Sequence, residues 1–332
     1  MKQAYMVGAS PGRADPDRAV LLANPNAHSV NRKTLSRVVD LLGLQDRAVM
    51  EIGRDGTARM LTADAVRSGA RYLVAAGGDG TLHEIVQVLA GTRTVLGILP
   101  LGTSNDLATR LAIPCALDEA LRTLTASYPT AIDLLNIGGE KVTTVGGFGL
   151  AAHIARDSND VRAVPALRPL LAALGGGVYP LAAVTRIARR GAQAVWYSLR
   201  FNDRPPGAVR ATAILVGMVQ RFGGGLSLTP GCPICPGSFN ALAITATTRA
   251  GLIRALFRMK TGRPISGLAT WHTGLHRLAI QTSGLVGAFG DGEWLGLRHR
   301  SVITIERAAL RVLVPPHSTA IGQDGGHLEE AV

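Results

Sequence analysis

Residues 74–84 read Val74-Ala75-Ala76-Gly77-Gly78-Asp79-Gly80-Thr81-Leu82-His83-Glu84. An apolar, strand-like run delivers two glycines, an acid, a third glycine and a hydroxyl, and then opens a helix. Glycines let the backbone turn sharply and let phosphate oxygens approach the amides with no Cβ in the way. The helix that follows aims its unpaired N–H groups and the positive end of its dipole at the same anion. Asp79 would repel a bare phosphate, so its presence implies a bound Mg²⁺ or a proton to be moved. The competing reading is a tight turn in which Asp79 caps the helix.

Upstream, Ala19 to Ala23 is a short apolar strand running into the turn Asn24-Pro25-Asn26. Thr34 to Leu42 places Leu35, Val38, Val39 and Leu42 on one helical face. Thr62 to Ser68 reads as helix, Tyr72 to Ala76 as a buried strand and Leu82 to Leu89 as helix. Val95 to Leu99 then reads as strand and Asn105 to Leu111 as helix. This alternation predicts a parallel sheet with helices on both faces. Ligands of such sheets bind at the carboxyl ends of the strands. Three loops qualify: Asn24 to His28, Gly77 to Thr81 and Leu101 to Asn105. The third belongs to Ile98-Leu99-Pro100-Leu101-Gly102-Thr103-Ser104-Asn105-Asp106-Leu107. Thr103 and Ser104 can donate hydrogen bonds to phosphate or ribose, and Asn105 or Asp106 can cap the helix.

The texture changes beyond about Pro129. Ile132 to Ile137, Thr143 to Phe148, Val195 to Phe201, Ala211 to Val219, Ala241 to Thr245 and Leu278 to Gln281 read as strands. Gly and Pro clusters separate them, as in an antiparallel β-rich domain. Ala166 to Arg190 is the exception, two helical pieces divided by Gly175-Gly176-Gly177. The expected division is an α/β domain over 17–129 and a β-rich domain over 130–300. A segment over 301–314 is expected to return to the first domain, with flexible tails over 1–16 and 315–332.

A chain of 332 residues suffices for two domains. With 47% hydrophobic but 4% aromatic residues, small aliphatics, Ala and Gly must fill much of the interior, which suits α/β packing. The formal charge of +12 favours polyanionic partners. No stacking aromatics are interleaved with the basic residues and no nucleic-acid motif occurs, so nucleic acid is not the expected partner. The three cysteines, Cys115, Cys232 and Cys235, make no disulfide framework and fit a reducing compartment. Cys232-Pro233-Ile234-Cys235 has metal or redox spacing but no second Cys or His pair nearby, and reads as a plain turn with buried thiols. No segment is a credible membrane span and the N-terminus lacks the apolar core of a secretory signal, so a cytoplasmic protein is expected.

Four pieces in order resemble the diacylglycerol kinase catalytic family, soluble lipid kinases that include sphingosine and ceramide kinases. They are Asn24-Pro25 after the first strand, Gly77-Gly78-Asp79-Gly80-Thr81, Gly102-Thr103-Ser104-Asn105-Asp106, and Asp291-Gly292-Glu293. The likeness runs from about Ala19 to Val314. It implies an α/β nucleotide-binding domain followed by a β-sandwich-like domain carrying the lipid site, the fold shared with NAD kinases. It also implies ATP and Mg²⁺ as cofactors. The phosphates would lie on Gly77, Gly78, Asp79, Gly80 and Thr81, with Leu82 and His83 also at the nucleotide site. Asn24, Pro25, Asn26, Ala27, His28, Gly102, Thr103 and Asn105 would hold the rest of the nucleotide. Glu293 matches the proposed proton acceptor for the lipid hydroxyl, with Asp291 beside it, and Asp79 would position Mg-ATP or act as the base itself. Taken without the upstream motifs, Asp291-Gly292-Glu293 is a hairpin turn with solvated charges.

The chain departs from the family pattern at three places. The first loop continues as Asn26-Ala27-His28, His83 stands where Asn is common, and Cys232 to Gly237 has no carboxylate where some relatives bind a structural Mg²⁺. That metal site is therefore expected to be absent. No Gly-Lys-Ser/Thr phosphate loop occurs, so backbone amides and the metal must neutralise most phosphate charge. Leu167 to Arg190 and Leu252 to Arg263 set basic clusters beside apolar residues, which suits attachment to the inner face of an anionic membrane or an ordinary packed helix. The rival activity is an NAD kinase, which shares Gly-Gly-Asp-Gly-Thr. A second rival is a lipid-binding protein without turnover. The identity of the lipid and the oligomeric state are not written in these motifs.

Overall fold

Strands β1 (Ala19–Ala23), β3 (Tyr72–Gly77) and β4 (Val95–Pro100) are apolar on both sides and buried along almost their whole length, so they need cover on two faces. The computed structural model describes residues 19–25, 32–42, 49–53, 57–162, 164, 177–191, 193–232 and 234–315. With β2 (Val49–Glu51), these strands form a parallel array in the order β4-β3-β1-β2. On one face, Leu73, Ala75, Leu96 and Ile98 pack against α2 (Thr57–Arg67) and α3 (Asp79–Leu89) through Ala65, Leu82, Ile85 and Leu89. On the other, Val74, Ala76, Val95 and Leu99 meet α1 (Arg32–Leu42) and α5 (Leu117–Ala126) through Val38, Leu121 and Leu124. The alternation along β3 thus divides the core into two layers, as period-two side chains require. A short helix, α4 (Asp106–Arg110), follows β4.

The second half supplies β5 (Tyr128–Ile137), β6 (Glu140–Val142), β7 (Val145–Gly149), β8 (Val195–Phe201), β9 (Gly207–Ala211), β10 (Ala213–Gly217), β11 (Arg221–Phe222), β12 (Leu226–Ser227), β13 (Phe239–Ile244), β14 (Ala269–Leu275), β15 (Arg277–Gly290) and β16 (Glu293–Val314). Phe148, Tyr197, Leu199, Ile214, Val216, Phe239, Leu278 and Ile303 fill the space between its layers. Helices α6 (Leu150–Arg162) and α8 (Arg249–Thr261) cover the outside, where Ala152, Ala155, Ala255 and Met259 pack on Leu215, Leu242 and Phe289. Helix α7 (Val178–Arg190) joins α8 through Ile187 and Leu252.

One strand connects the halves. The start of β16 pairs antiparallel with β15, its middle and end pair with β5, and Arg311 and Val312 lie parallel to Val95 and Leu96 of β4. A single path, β14-β13-β10-β7-β15-β16-β4-β3-β1-β2, therefore crosses both halves. The orientation of the second half relative to the glycine turn is set by backbone hydrogen bonds and not by a loose linker.

Several elements differ from the sequence reading. Helix α3 begins at Asp79, three residues before Leu82, because Gly78 is extended (φ −104, ψ −174) and the chain turns helical at once. Gly80 lowers helix propensity, which hid that first turn. Helix α2 begins at Thr57 and β15 and β16 are far longer than expected, while β9, β14, α5 and α6 were not anticipated. Val178–Arg190 is one helix, and the stretch before the glycine triplet lies outside the described residues. The segment around Cys232 turns as expected, with the Gly237 N–H donating to Asp133 Oδ2 at 3.0 Å. Its thiols are not buried, however: Cys235 is exposed and Cys232 partly so.

Leu310, fully buried on β16 opposite Ile132, packs within the first half's core. Replacing it with Ala should cost about 2–5 kcal/mol, read as a lower urea midpoint. If the halves unfold as one cooperative unit through β16, probes in both should shift together.

Candidate active site at the junction of the two halves

The two glycine loops of the parallel sheet meet back to back. A methyl group on Gly102 would stand 2.5 Å from Gly78 Cα, and one on Gly78 would stand 3.1 Å from Gly102 Cα. Only residues without a Cβ allow this contact. Asn105 shapes the second loop from inside. It adopts φ +50, is buried, accepts from the Gly102 N–H at 3.0 Å and donates to the Gly102 carbonyl at 3.0 Å. Its role in the fold is thus to close the loop, a use of both ends of its amide. Asp79 does not cap its own helix, whose N-cap is Gly78. Its Oδ1 instead accepts the Asp106 N–H at 2.8 Å, placing a carboxylate at the start of α4. At the end of β1, Asn24 donates to Thr81 Oγ1 at 2.9 Å and ties the first loop to the first turn of α3.

The third element enters from the other half. Gly290 pairs with Glu293, so Asp291-Gly292 is a two-residue hairpin turn, with φ +51 and +85. Positive φ at both positions is the demand of a type I′ turn, and Asp-Gly meets it. The hairpin reading of this motif is correct in shape, but Asp291 is not solvated. Its side chain is 5% exposed and accepts from the Thr143 N–H at 2.7 Å, the Thr144 N–H at 2.8 Å and the Thr144 hydroxyl at 2.7 Å. Burial alone would raise its pKa, but His83 and the threonine donors outweigh burial and hold the carboxyl below the usual range. Nearby, Arg110 donates to the Thr143 carbonyl. Burial pulls its pKa down to about 10, against the raising effect of Asp291 and Asp133, and leaves it charged at neutral pH.

Glu293, the first residue of β16, is thereby delivered to the α3 turn. A methyl group on Gly80 would stand 2.9 Å from Glu293 Oε1. Asn159 on α6 donates to Glu293 Oε2 at 3.2 Å and to the Gly292 carbonyl at 3.0 Å. Trp294 lies in a pocket of glycine and arginine: a methyl on Gly287 would meet its ring at 2.5 Å, and Arg156 stacks over it at 5.3 Å. Between the halves opens a cavity of about 480 Å³ to which Asn24, Gly80, Thr81, His83, Glu293 and Trp294 all contribute. A gap of about 10 Å³, room for one water, lies behind it among Asp79, Asp106, Thr144 and Asp291.

Of the residues expected at the site, Asn24, Gly80, Thr81, His83 and Glu293 line the cavity. Gly77, Gly78, Gly102 and Asn105 do not line it but shape the adjoining loops, Asp79, Leu82 and Asp291 line the small gap instead, and Thr103 is exposed on the neighbouring loop. Pro25 follows Asn24 in the described turn, while Asn26, Ala27 and His28 lie outside the described residues. Sequence reasoning missed Ile52, Gly53 and Arg59, which close the cavity from β2 and α2, and Glu140 from β6. It also missed Asn159, Thr143 and Thr144, whose ordinary helix and bend contexts carry no motif.

Comparison with known proteins agrees with this geometry. Residues 18–137 match the diacylglycerol kinase catalytic domain, and residues 147–314 match the YegS C-terminal NAD kinase beta sandwich-like domain. A protein of Pseudomonas savastanoi pv. phaseolicola named a probable lipid kinase YegS-like is 38% identical over 137 residues, 40% of this chain and 41% of that protein. The matched stretch thus spans about two fifths of the length of that relative. A like-named protein of Serratia proteamaculans is 30% identical over 279 residues, 81% of this chain and 84% of that one. A solved diacylglycerol kinase from Bacillus anthracis str. Sterne shares the fold at a TM-score of 0.67 and 16% identity, over 93% of this chain and 100% of that one. With both halves matched in order and the fold shared throughout, the chain belongs to the family that joins a diacylglycerol kinase catalytic domain to a YegS-type β-sandwich-like domain.

Proposed function

We propose that the protein is a kinase that transfers the γ-phosphate of Mg-ATP to a lipid hydroxyl. The observation that carries this reading is the shared cavity, in which a glycine-rich helix start from one half faces a carboxylate from the other. Phosphoryl transfer asks for positioning, charge neutralisation and an acceptor for the nucleophile's proton. The amides of the first α3 turn and the Thr81 hydroxyl would hold phosphate oxygens. The lipid oxygen attacks the γ-phosphorus, the bond from that phosphorus to the bridging oxygen breaks, ADP leaves, and Glu293 takes the hydroxyl proton. Asn159 fixes the carboxylate for that task. Asp79 offers hard oxygen donors beside the glycine turn, which fits an ion that binds through one or two carboxylates together with phosphates. Mg²⁺ bound there with ATP would neutralise phosphate charge. Asp291 acts by holding the turn that places Glu293.

A surface on the second half supports a bilayer as the place where the acceptor is met. Among the described residues no helix is long and apolar enough to cross a membrane. Leu181 and Val184 on α7 and Ile253 and Phe257 on α8 are nevertheless exposed, Leu181 by 53% and Phe257 by 59%. Arg189 and Arg190 on α7, Arg249 and Arg254 on α8, and Arg263 just after it are exposed as well. An apolar face fringed by cations suits the anionic headgroup region of a membrane.

Purified protein incubated with γ-labelled ATP, Mg²⁺ and lipids in mixed micelles should yield a labelled organic-phase product. Glu293→Gln should lower the rate by about 10²–10⁴-fold without a matching fall in thermal stability. Label appearing only on NAD in a parallel reaction would overturn the lipid reading. The double substitution Leu181→Glu with Phe257→Glu should abolish sedimentation with anionic vesicles while sparing turnover of a short-chain, water-soluble acceptor. Unchanged sedimentation would remove α7 and α8 from membrane contact.

A further inference from the structure

His83 occupies an unusual position between the buried carboxylate and the cavity. It stands on α3, is 7% exposed, and contributes to the cavity wall beside Thr81 and Glu293. Its Nδ1 lies 3.6 Å from Asp291 Oδ2, an ion-pair contact too long for a hydrogen bond, and that buried nitrogen has no hydrogen-bond partner. Asp291 cannot turn toward it or away, because three donors from Thr143 and Thr144 and the hairpin backbone fix both carboxylate oxygens. A fixed buried anion with a ring nitrogen in front of it favours the charged ring.

Among the described residues that line the cavity, Arg59 and His83 are the ones with basic side chains, and Arg59 approaches Glu140 at 3.5 Å. The glycine turn itself contains no lysine. Resting on the phosphoryl-transfer reading above, we propose that His83 works as an imidazolium, clamped from behind by Asp291, and supplies positive charge to the phosphate side of the cavity. It would do part of the work that a phosphate-loop lysine does elsewhere.

The charged surroundings of His83 agree with this assignment. Asp291 faces it from the β15–β16 turn, Glu293 from β16 and Glu140 from β6, with Arg59 of α2 and Glu84 of its own helix on the same cavity. Burial works against the charge, but these carboxylates, Asp291 foremost, outweigh it and lift the ring's pKa above the ordinary value of 6.5. Bound nucleotide would add negative charge and lift it further. Charge on His83 is present below the raised pKa and is lost as pH rises through it.

The test uses the whole protein, Mg-ATP binding and the imidazole signal itself. Kd for Mg-ATP is measured by calorimetry from about pH 6 to about pH 9, and the ring C–H resonance of His83, assigned by its absence in His83→Gln, is titrated over the same range. The expected result is binding that weakens about tenfold in the wild type as the His83 resonance titrates, and that stays flat in His83→Gln. Asp291→Asn, if it folds, should return the resonance toward pH 6.5. An alkaline loss of affinity that persists in His83→Gln would overturn the proposal, as would a His83 resonance titrating below pH 6.5. Because binding and the resonance are read without a lipid, a wild type that labels no lipid defeats the kinase reading and leaves this result to be judged by itself.

Discussion

A carboxylate buried in a two-residue turn constrains the arrangement of the whole site. Asp291 sits in left-handed backbone, which costs a non-glycine residue about 1 kcal/mol or more, and its charge is removed from water. Such an arrangement persists only where the surroundings satisfy it. Here two backbone amides and a hydroxyl hydrogen-bond it, all three from the bend that precedes β7, and an imidazole stands 3.6 Å away. The turn is thereby pinned to the sheet, and the next residues of β16 have one place to go. Glu293 follows two residues after Asp291 and meets Gly80 across the junction.

The same strand makes that meeting reproducible. β16 runs on from the hairpin, past β5, to lie beside β4, so the carboxylate and the glycine turn are bound to one continuous hydrogen-bonded sheet. A cleft between two domains is often adjustable because few contacts cross it. In this molecule the cleft floor is a ladder of strands, and freedom is left to the side chains and to the helices packed on top. The close contact of Gly78 with Gly102 serves the same end within the first half, bringing two helix starts to one point.

The plain readings of the motifs describe the local shape of the molecule, and the same motifs gather around one cavity. Asp291-Gly292 is a hairpin turn, and Asn105 closes its loop as a capping residue would, while that same hairpin leads directly into Glu293 of the cavity. The turn chemistry of Asp-Gly was legible because positive φ is a local demand. That Asp291 would be buried was not, because its partners Thr143 and Thr144 lie about 150 positions away in sequence and come near only through the pairing of β15 with β7. Asp79 shows the opposite case. Its position invited a cap on α3, and the structure spends it on α4, through contact between two loops that share no local pattern.

What the sequence determined by itself is the local grammar: apolar strands, glycine turns opening helices, a parallel first half and a strand-rich second half. These follow from side-chain periodicity and from backbone freedom, which act over a few residues. It also carried five cavity residues, Asn24, Gly80, Thr81, His83 and Glu293, through spaced motifs. Only the tertiary structure decided that β16 binds both halves into one sheet, that Arg59, Glu140 and Asn159 complete the wall, and that His83 stands between Asp291 and the cavity. Each of those facts depends on pairing between distant segments, and the free energy that selects such pairing is spread over the packed core and has no signature in any single stretch of chain.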